Sequence, residues 1–516
     1  SRRAHPRVRR GGGEGGRMLA PYRYGLVESD ARGTRKWCVI LQEKARAVPA
    51  NRDHWRGADG QVRTHGASNR KGECMKHVFT RLLASLAIVG LVSGALAQDL
   101  VFPIGEDDRF SWGDLERFEA LDLTGQTVEV FGPWLTVDED LVNSVFAYFE
   151  QATGAEVQYA GSDSFEQQIV IDVQAGSPPD LAVFPQPGLA ADLAAQGALV
   201  PLGGELEQWT RDNYAAGDSW VSLGTYADEN GEDDFYGFFY KVDVKSLVWY
   251  SPDNFADAGY EIPTTMEELI ALSDQIVADG GTPWCIGLGS GDATGWPATD
   301  WVEDIMLRTQ PPSVYDQWVS NEIPFNDERI VSAIETFGSF AKNPDYVSGG
   351  GTAVASTDFR DSPAGLFTVP AGCYMHRQAS FIPSFFPEGT ELGVDVDFFY
   401  FPAFAGEDLG SPVLGAGTLW AMTDENAVAR ELLDFLTTPL AHEIWMAQSG
   451  FLTPHLGVNL DAYANDTLRG QGQILQNATT FRFDASDLMP GAIGAGAFWT
   501  GMVDYVSGAS AEEAAT

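Results

Sequence analysis

Residues 127–159 read TVEVFGPWLTVDEDLVNSVFAYFEQATGAEVQY, and the change of period along them decides the fold. Thr127 to Phe131 alternates polar and apolar side chains, the pattern of a half-buried strand, and Gly132-Pro133-Trp134 ends it. From Asp138 to Thr153 the apolar residues take helical spacing: Leu141, Val142, Val145, Phe146 and Phe149 share one face, and Gly154 supplies the stop. Ala155 to Tyr159 reads as a second strand. A helix follows with Phe165, Ile169, Val170 and Val173 on one side and Asp163 ahead of it as a candidate cap, then a strand over Asp180 to Phe184. Strands separated by helices call for an α/β fold with a mainly parallel sheet, in which ligands meet the loops that leave the strands' carboxyl ends. Trp134 and the turn Phe184-Pro185-Gln186-Pro187 occupy such ends.

Outward from this unit, Phe235 to Tyr250 (FYGFFYKVDVKSLVWY) reads as extended chain entering a second unit. Thr265 and Glu268 have the spacing of a capping box for a helix through Ile276. Trp284 to Trp301 (WCIGLGSGDATGWPATDW) mixes indoles, small turn-formers and aspartates, which suits the wall of a sugar pocket; the alternative is a surface loop whose tryptophans plug the core. Asp300 to Arg308 reads as helix, Gly349-Gly350-Gly351 as a flexible loop, and Val413 to Met422 (VLGAGTLWAM) as a glycine-broken strand. Ala427 to Leu436 and Leu440 to Ser449 read as helices, while Trp249, Trp318 and Trp445 sit on regular apolar patterns and belong to the core.

Charge narrows the function. The chain carries a net charge of −41 with 44% hydrophobic residues, enough for a sizeable core. The excess is uneven: residues 1–74 hold 17 Lys+Arg against 7 Asp+Glu, and the remainder holds 15 against 66. Such a body repels polyanions, so nucleic acid and anionic membranes are excluded as its partners. No acidic run has the spacing of a calcium loop, and the acidity reads as a solvated surface.

The ends of the chain carry processing signals. Residues 1–74, rich in Arg and Gly and without apolar periodicity, read as a disordered or non-native upstream segment. Residues 75–97 have the three parts of a secretory signal peptide: Met75-Lys76-His77 and Arg81, the apolar run Leu82 to Val92, and Ala95-Leu96-Ala97 before Gln98. The mature chain is therefore expected to start near Gln98, exported and not membrane-embedded. Cys285 and Cys373, the two cysteines after that peptide, read as a disulfide in an oxidising compartment, with two buried free thiols as the alternative. No CxxC spacing accompanies His376, so no metal centre is expected.

Several segments, in order, carry a family likeness: VFGPW near the first strand, AGSPPDLAVFPQPG, KVDVKSLVWY, the Gly-Trp-Pro of residues 295–297, AGCYMHRQASF, GAGTLW and GFLTPH. Together they resemble the extracellular solute-binding proteins of sugar ABC importers, the group of the maltose-binding and, more closely, the α-glucoside-binding proteins. The likeness runs from about residue 125 to the C-terminus. It implies a two-lobed fold of the periplasmic-binding-protein type (type II), each lobe a mainly parallel sheet flanked by helices, with the ligand cleft between. Lobe 1 would comprise residues 98–238 with 418–456, and lobe 2 residues 239–417 with 457–516, with hinges near Tyr240, Gly417 and Gly457. Against relatives, the ending SAEEAAT reads as cut short by a helical turn or two. The implied partners are a sugar and the transmembrane permease of the importer; a monomer without cofactor is expected, in the periplasm.

On that template, Trp134, Trp296 and Tyr374 are the candidates for stacking on sugar rings. Gln186, Lys241, Asp243, Asp300 and Arg377 are the candidates for hydroxyl hydrogen bonds. Arg377 has as its alternative a salt bridge between lobes. Thr418 and His455 are weaker candidates that could equally cap a helix or satisfy backbone. The competing class is an exported carbohydrate-active enzyme, whose paired carboxylates the many acidic residues could supply. No GxSxG, HExxH or phosphate-binding loop stands where its chemistry would need it. A third reading keeps the fold and changes the solute to one such as a polyamine.

Overall fold

The computed structural model describes residues 100–516; the expectations for residues 1–74 and for the signal peptide at 75–97 fall outside the described residues. The first sheet opens with β1 (Thr127–Gly132), followed by α1 (Val137–Thr153), β2 (Glu156–Gly161), α2 (Phe165–Ala175), β3 (Leu181–Phe184) and α3 (Pro187–Ala194). The five apolar residues expected on one face of α1 are all buried, and Gly154 ends the helix with φ of 77°, a left-handed conformation that costs glycine little. Asp163 is exposed and Ser164 occupies the cap position of α2 instead. The Thr265 hydroxyl caps Met266–Ala278 by accepting from the Glu268 N–H at 3.2 Å, while Glu268 reaches back to Thr264.

β4 (Phe238–Val244) crosses into a second sheet through β5 (Leu247–Tyr250). The long helix α4 (Trp296–Thr309) lies between β5 and β6 (Met375–Arg377), and β7 (Asp397–Tyr400) follows. The chain then forms β8 (Pro412–Met422), α5 (Asp466–Gln476), β9 (Thr480–Phe483) and the short α6 (Ala485–Leu488).

The first sheet has the order β9-β8-β3-β1-β2, with β4 also paired to β8. β1 runs parallel to β2 (Val128↔Val157) and to β3 (Val130↔Leu181), as the alternation of strand and helix requires. β8 is antiparallel to β3 (Leu419↔Phe184) and to β4 (Thr418↔Lys241), and parallel to β9 (Val413↔Phe481). The second sheet, β6-β5-β7, corrects the expectation of a mainly parallel sheet in each lobe: β5 is antiparallel to both neighbours (Val248↔Arg377 and Val248↔Phe399). The reason is the path of the chain. Helices follow β5 in succession with no strand between them, and both returning strands dock on β5 from the opposite direction.

Two hydrophobic clusters fill the molecule. One gathers Val128, Val130, Phe146, Leu181 and Trp420 around the first sheet; the other gathers Trp284, Trp301, Phe337, Phe340 and Met375. β8 serves both, since Val413 packs in the first and Leu414 in the second. Gly349–Gly351 does not form the expected flexible loop; it starts a helix over Gly350–Ser356. A Cβ on Gly351 would lie 2.0 Å from the Val506 carbonyl oxygen, so the glycine permits close helix packing. Cys285 and Cys373 form the disulfide, with Cα atoms 5.5 Å apart. Among the described residues no helix is long and apolar enough to cross a membrane.

Candidate functional site

β4, paired to β8, supplies the floor of the site through Lys241 and Asp243. Side chains alternate across a strand, so Lys241, Asp243 and Lys245 point to one side. Their cross-strand neighbours follow the same rule: Lys241 faces Thr418 and Asp243 faces Ala416, and these four are half-buried, whereas Val242, Val244, Gly415 and Gly417 are buried behind them. Gly415 is required by close approach, because a Cβ there would stand 2.3 Å from the Asp243 carbonyl oxygen. The Thr418 hydroxyl donates to the Lys241 carbonyl at 3.4 Å. The Ser380 hydroxyl donates to Asp243 Oδ1 at 2.9 Å and accepts from the Val244 N–H at 3.2 Å, which ties the segment after β6 to the floor. Above lies a cavity of about 350 Å³ walled by Asp138 at the start of α1, by Ser380, Phe381 and Ser384, and by Gln471 of α5. Its size is at the small end of ligand sites.

Beyond β4 the same face dives into an ion cluster. Lys245 Nζ donates to Asp300 Oδ1 at 3.1 Å and to Asp484, and lies 5.1 Å from the centre of the Trp296 ring. Arg377 donates to Asp304 at 2.9 Å and has Asp300 at 3.9 Å; Arg308 pairs with Asp304 at 3.0 Å. Glu303 accepts the Ser486 N–H at 2.9 Å. Burial is the largest influence on the acids: it pushes Asp300 up to about 7 and Asp484 up to about 6 despite Lys245, and holds Glu303 well above the carboxylate range with Asp484 and Asp300 adding repulsion. Burial also works against the Lys245 charge, but Asp300, Asp484 and Asp487 outweigh it and the ammonium is held above its ordinary value. Asp300, Glu303 and Asp484 each bring one oxygen within 4.8 Å of the others, a spacing that could hold a cation. Lys245 already supplies positive charge between two of them.

The sequence-predicted residues divide accordingly. Lys241 and Asp243 line the cavity, whereas Thr418, the cross-strand neighbour of Lys241, is not among the lining residues. Trp296, first residue of α4 and half-buried, stacks edge-on with Phe359 at 5.0 Å and reaches the cavity wall through Phe381 at 6.0 Å. Asp300 and Arg377, the latter 4% exposed, lie inside the ion cluster; Arg377 is salt-bridged, but to Asp300 and Asp304 of the same expected lobe and not between lobes. Trp134, 6% exposed, packs against Trp445 at 5.2 Å and Trp420 at 6.1 Å in the first core. Tyr374 packs on Tyr260 at 5.3 Å in the second cluster and is not among the residues lining the cavity. Gln186 is half-buried at the cap position of α3. His455 is buried: its Nδ1 accepts from the Gly457 N–H at 2.8 Å and its Nε2 lies 3.1 Å from the Thr437 carbonyl, and burial depresses its pKa to about 4. Of the other indoles in the 284–301 stretch, Trp284 and Trp301 plug the core. Sequence reasoning missed Asp138, Ser380, Phe381, Ser384 and Gln471. The signal for Gln471 was present, because it interrupts the apolar stripe of Leu468 and Leu475 at helical spacing.

The two-lobed α/β fold thus holds a small polar cavity over the crossing strand β4. The chain belongs to the bacterial extracellular solute-binding protein family, whose model matches residues 134–442. It is 62% identical over 443 residues to the alpha-glucosides-binding periplasmic protein AglE of Rhizobium meliloti (strain 1021), spanning 84% of this chain and 97% of that one. It is 44% identical over 384 residues to the osmoprotective compounds-binding protein GgtB of Synechocystis sp., spanning 74% of this chain and 89% of that one. In fold it matches the bacterial solute receptor AcbH with a TM-score of 0.61 at 19% identity, over 75% of this chain and 96% of that one.

Proposed function

We propose that the chain is the capture component of an ABC importer, which holds a neutral α-glucoside, a disaccharide or short oligosaccharide, in the cleft over Lys241 and Asp243. It works in the periplasm and hands the solute to a membrane permease. The observation that carries this reading is the 62% identity to AglE across 97% of that protein's length. The cleft supports it: an ammonium, carboxylates and hydroxyls bring donors and acceptors to one small cavity, and Phe381 with Trp296 behind it offers an apolar wall to a sugar face. The leader read at residues 75–97 agrees with the location. Binding without turnover fits relatives that are named as binding proteins.

Capture proceeds by closure of two lobes, divided as 98–238 with 418–456 and 239–417 with 457–516, about hinges near Tyr240, Gly417 and Gly457. Contacts from both lobes favour the closed form, and the solute shifts the population towards it. A second reading, capture of a small osmoprotective solute, is favoured by the likeness to GgtB and by the modest cavity.

A thermal-shift screen tests the reading with maltose, sucrose, trehalose, glycerol glycosides, polyamines and amino acids. A ligand at a hundredfold excess over its Kd adds about 2.7 kcal/mol to the folded state. Stabilisation by an α-glucoside recovered intact is the expected result. Stabilisation by a polyamine alone, or consumption of the sugar, would refute it.

A further inference from the structure

We infer that Gln471 is a ligand-reading amide of the cleft, which pairs with two neighbouring hydroxyls of a neutral solute. The inference rests on the sugar-capture reading and adds a specificity-determining residue to it. Gln471 is 0% exposed and lines the cavity beside Lys241 and Asp243. Neither its Nε2 nor its Oε1 has a hydrogen-bond partner among the described residues. Burying both poles of an amide unpaired is unfavourable, and the great majority of buried polar groups in native proteins are satisfied.

Its surroundings explain why it stays unpaired within the fold. Asn465, the other amide that α5 presents to the cavity, is already used, accepting the Leu468 N–H at 2.9 Å as the helix cap. Leu468 and Leu475 on either side are packed into the first core, so the helix is anchored and Gln471 is held at the wall. A carboxamide presents one acceptor and one donor edge in a single plane, and adjacent hydroxyls can each act as donor or acceptor. It carries no charge, so it favours a polyol over an ion.

Titration calorimetry on wild type, Gln471→Met and Gln471→Glu tests this with maltose, trehalose, sucrose and their monodeoxy analogues. Wild type binds at least one sugar. Gln471→Met, close in shape but apolar, binds that sugar at least tenfold more weakly, with the melting temperature of the ligand-free protein not lowered. Gln471→Glu, which keeps the shape and loses the N–H donor, weakens binding as well, so one misfolded variant does not spare the idea. The deoxy analogue that wild type penalises most is not penalised by Gln471→Met. Both variants binding within twofold of wild type would overturn the inference and leave the sugar-capture reading intact. A wild type that binds none of the sugars would overturn both.

Discussion

Replacing Lys245 by Met removes the cation that joins the crossing segment to α4 and to the start of α6. Its ammonium sits 3.1 Å from Asp300 Oδ1 and also donates to Asp484, and both acids are buried. Removing one partner of a buried pair costs roughly 3 to 5 kcal/mol, because the remaining charge has no compensation. The loss depends on pH in a defined direction. A carboxyl whose folded pKa is raised binds more protons in the native than in the unfolded state, so its contribution is fully present below the unfolded value and is lost as pH rises through the folded one. Asp300 and Asp484 stand at about 7 and about 6 with the lysine present, and its removal raises both. At pH 8 the variant must hold two buried carboxylates or protonate them against the solution, and the full loss is expected. At pH 5 both are protonated and the loss shrinks. Urea unfolding of wild type and Lys245→Met at the two pH values measures it. A loss under about 1 kcal/mol at pH 8, or an equal loss at both, would refute the reasoning.

The remaining predictions follow from the same contacts. Glu303→Gln should leave stability near wild type at pH 6, since burial keeps Glu303 protonated and Gln still accepts the Ser486 N–H; a loss above about 2 kcal/mol would mean that the acid is charged there. Cys285→Ser with Cys373→Ser opens an 88-residue interval and should cost roughly 4 to 5 kcal/mol in the chain-entropy description, read as a lower urea midpoint that reductant no longer changes. Asp243→Ala should weaken sugar binding at least tenfold with little change in ligand-free stability, because Asp243 is half-buried and holds one side-chain partner, Ser380. Unchanged calorimetric affinity would remove Asp243 from the site.

Local patterning made half of this structure legible. β1, α1, β2, α2 and β3 follow one another with little between them, so the period of each is visible and the parallel order follows from their alternation. β5 and β6 pair although Leu247–Tyr250 and Met375–Arg377 lie far apart in the chain, and no local period reports that they meet antiparallel. At the site, residue chemistry and the family likeness single out Lys241 and Asp243, and both line the cavity from β4. Asp300 and Arg377 show the limit: an aspartate and an arginine suited to sugar hydroxyls are equally suited to each other, and only the packing of α4 against the crossing strands places them inside. Aromatic residues pose the same ambiguity, and Trp134 and Trp301 went to the cores while Trp296 stayed beside the cleft.

The central claim is that the solute sits on the floor formed by Lys241 and Asp243 of β4. A crystal structure with the best-binding α-glucoside tests it most directly. The account predicts sugar density within hydrogen-bond reach of Lys241, Asp243 and Gln471, against the wall formed by Phe381. A well-bound sugar elsewhere on the molecule, with that floor left to solvent, would contradict it.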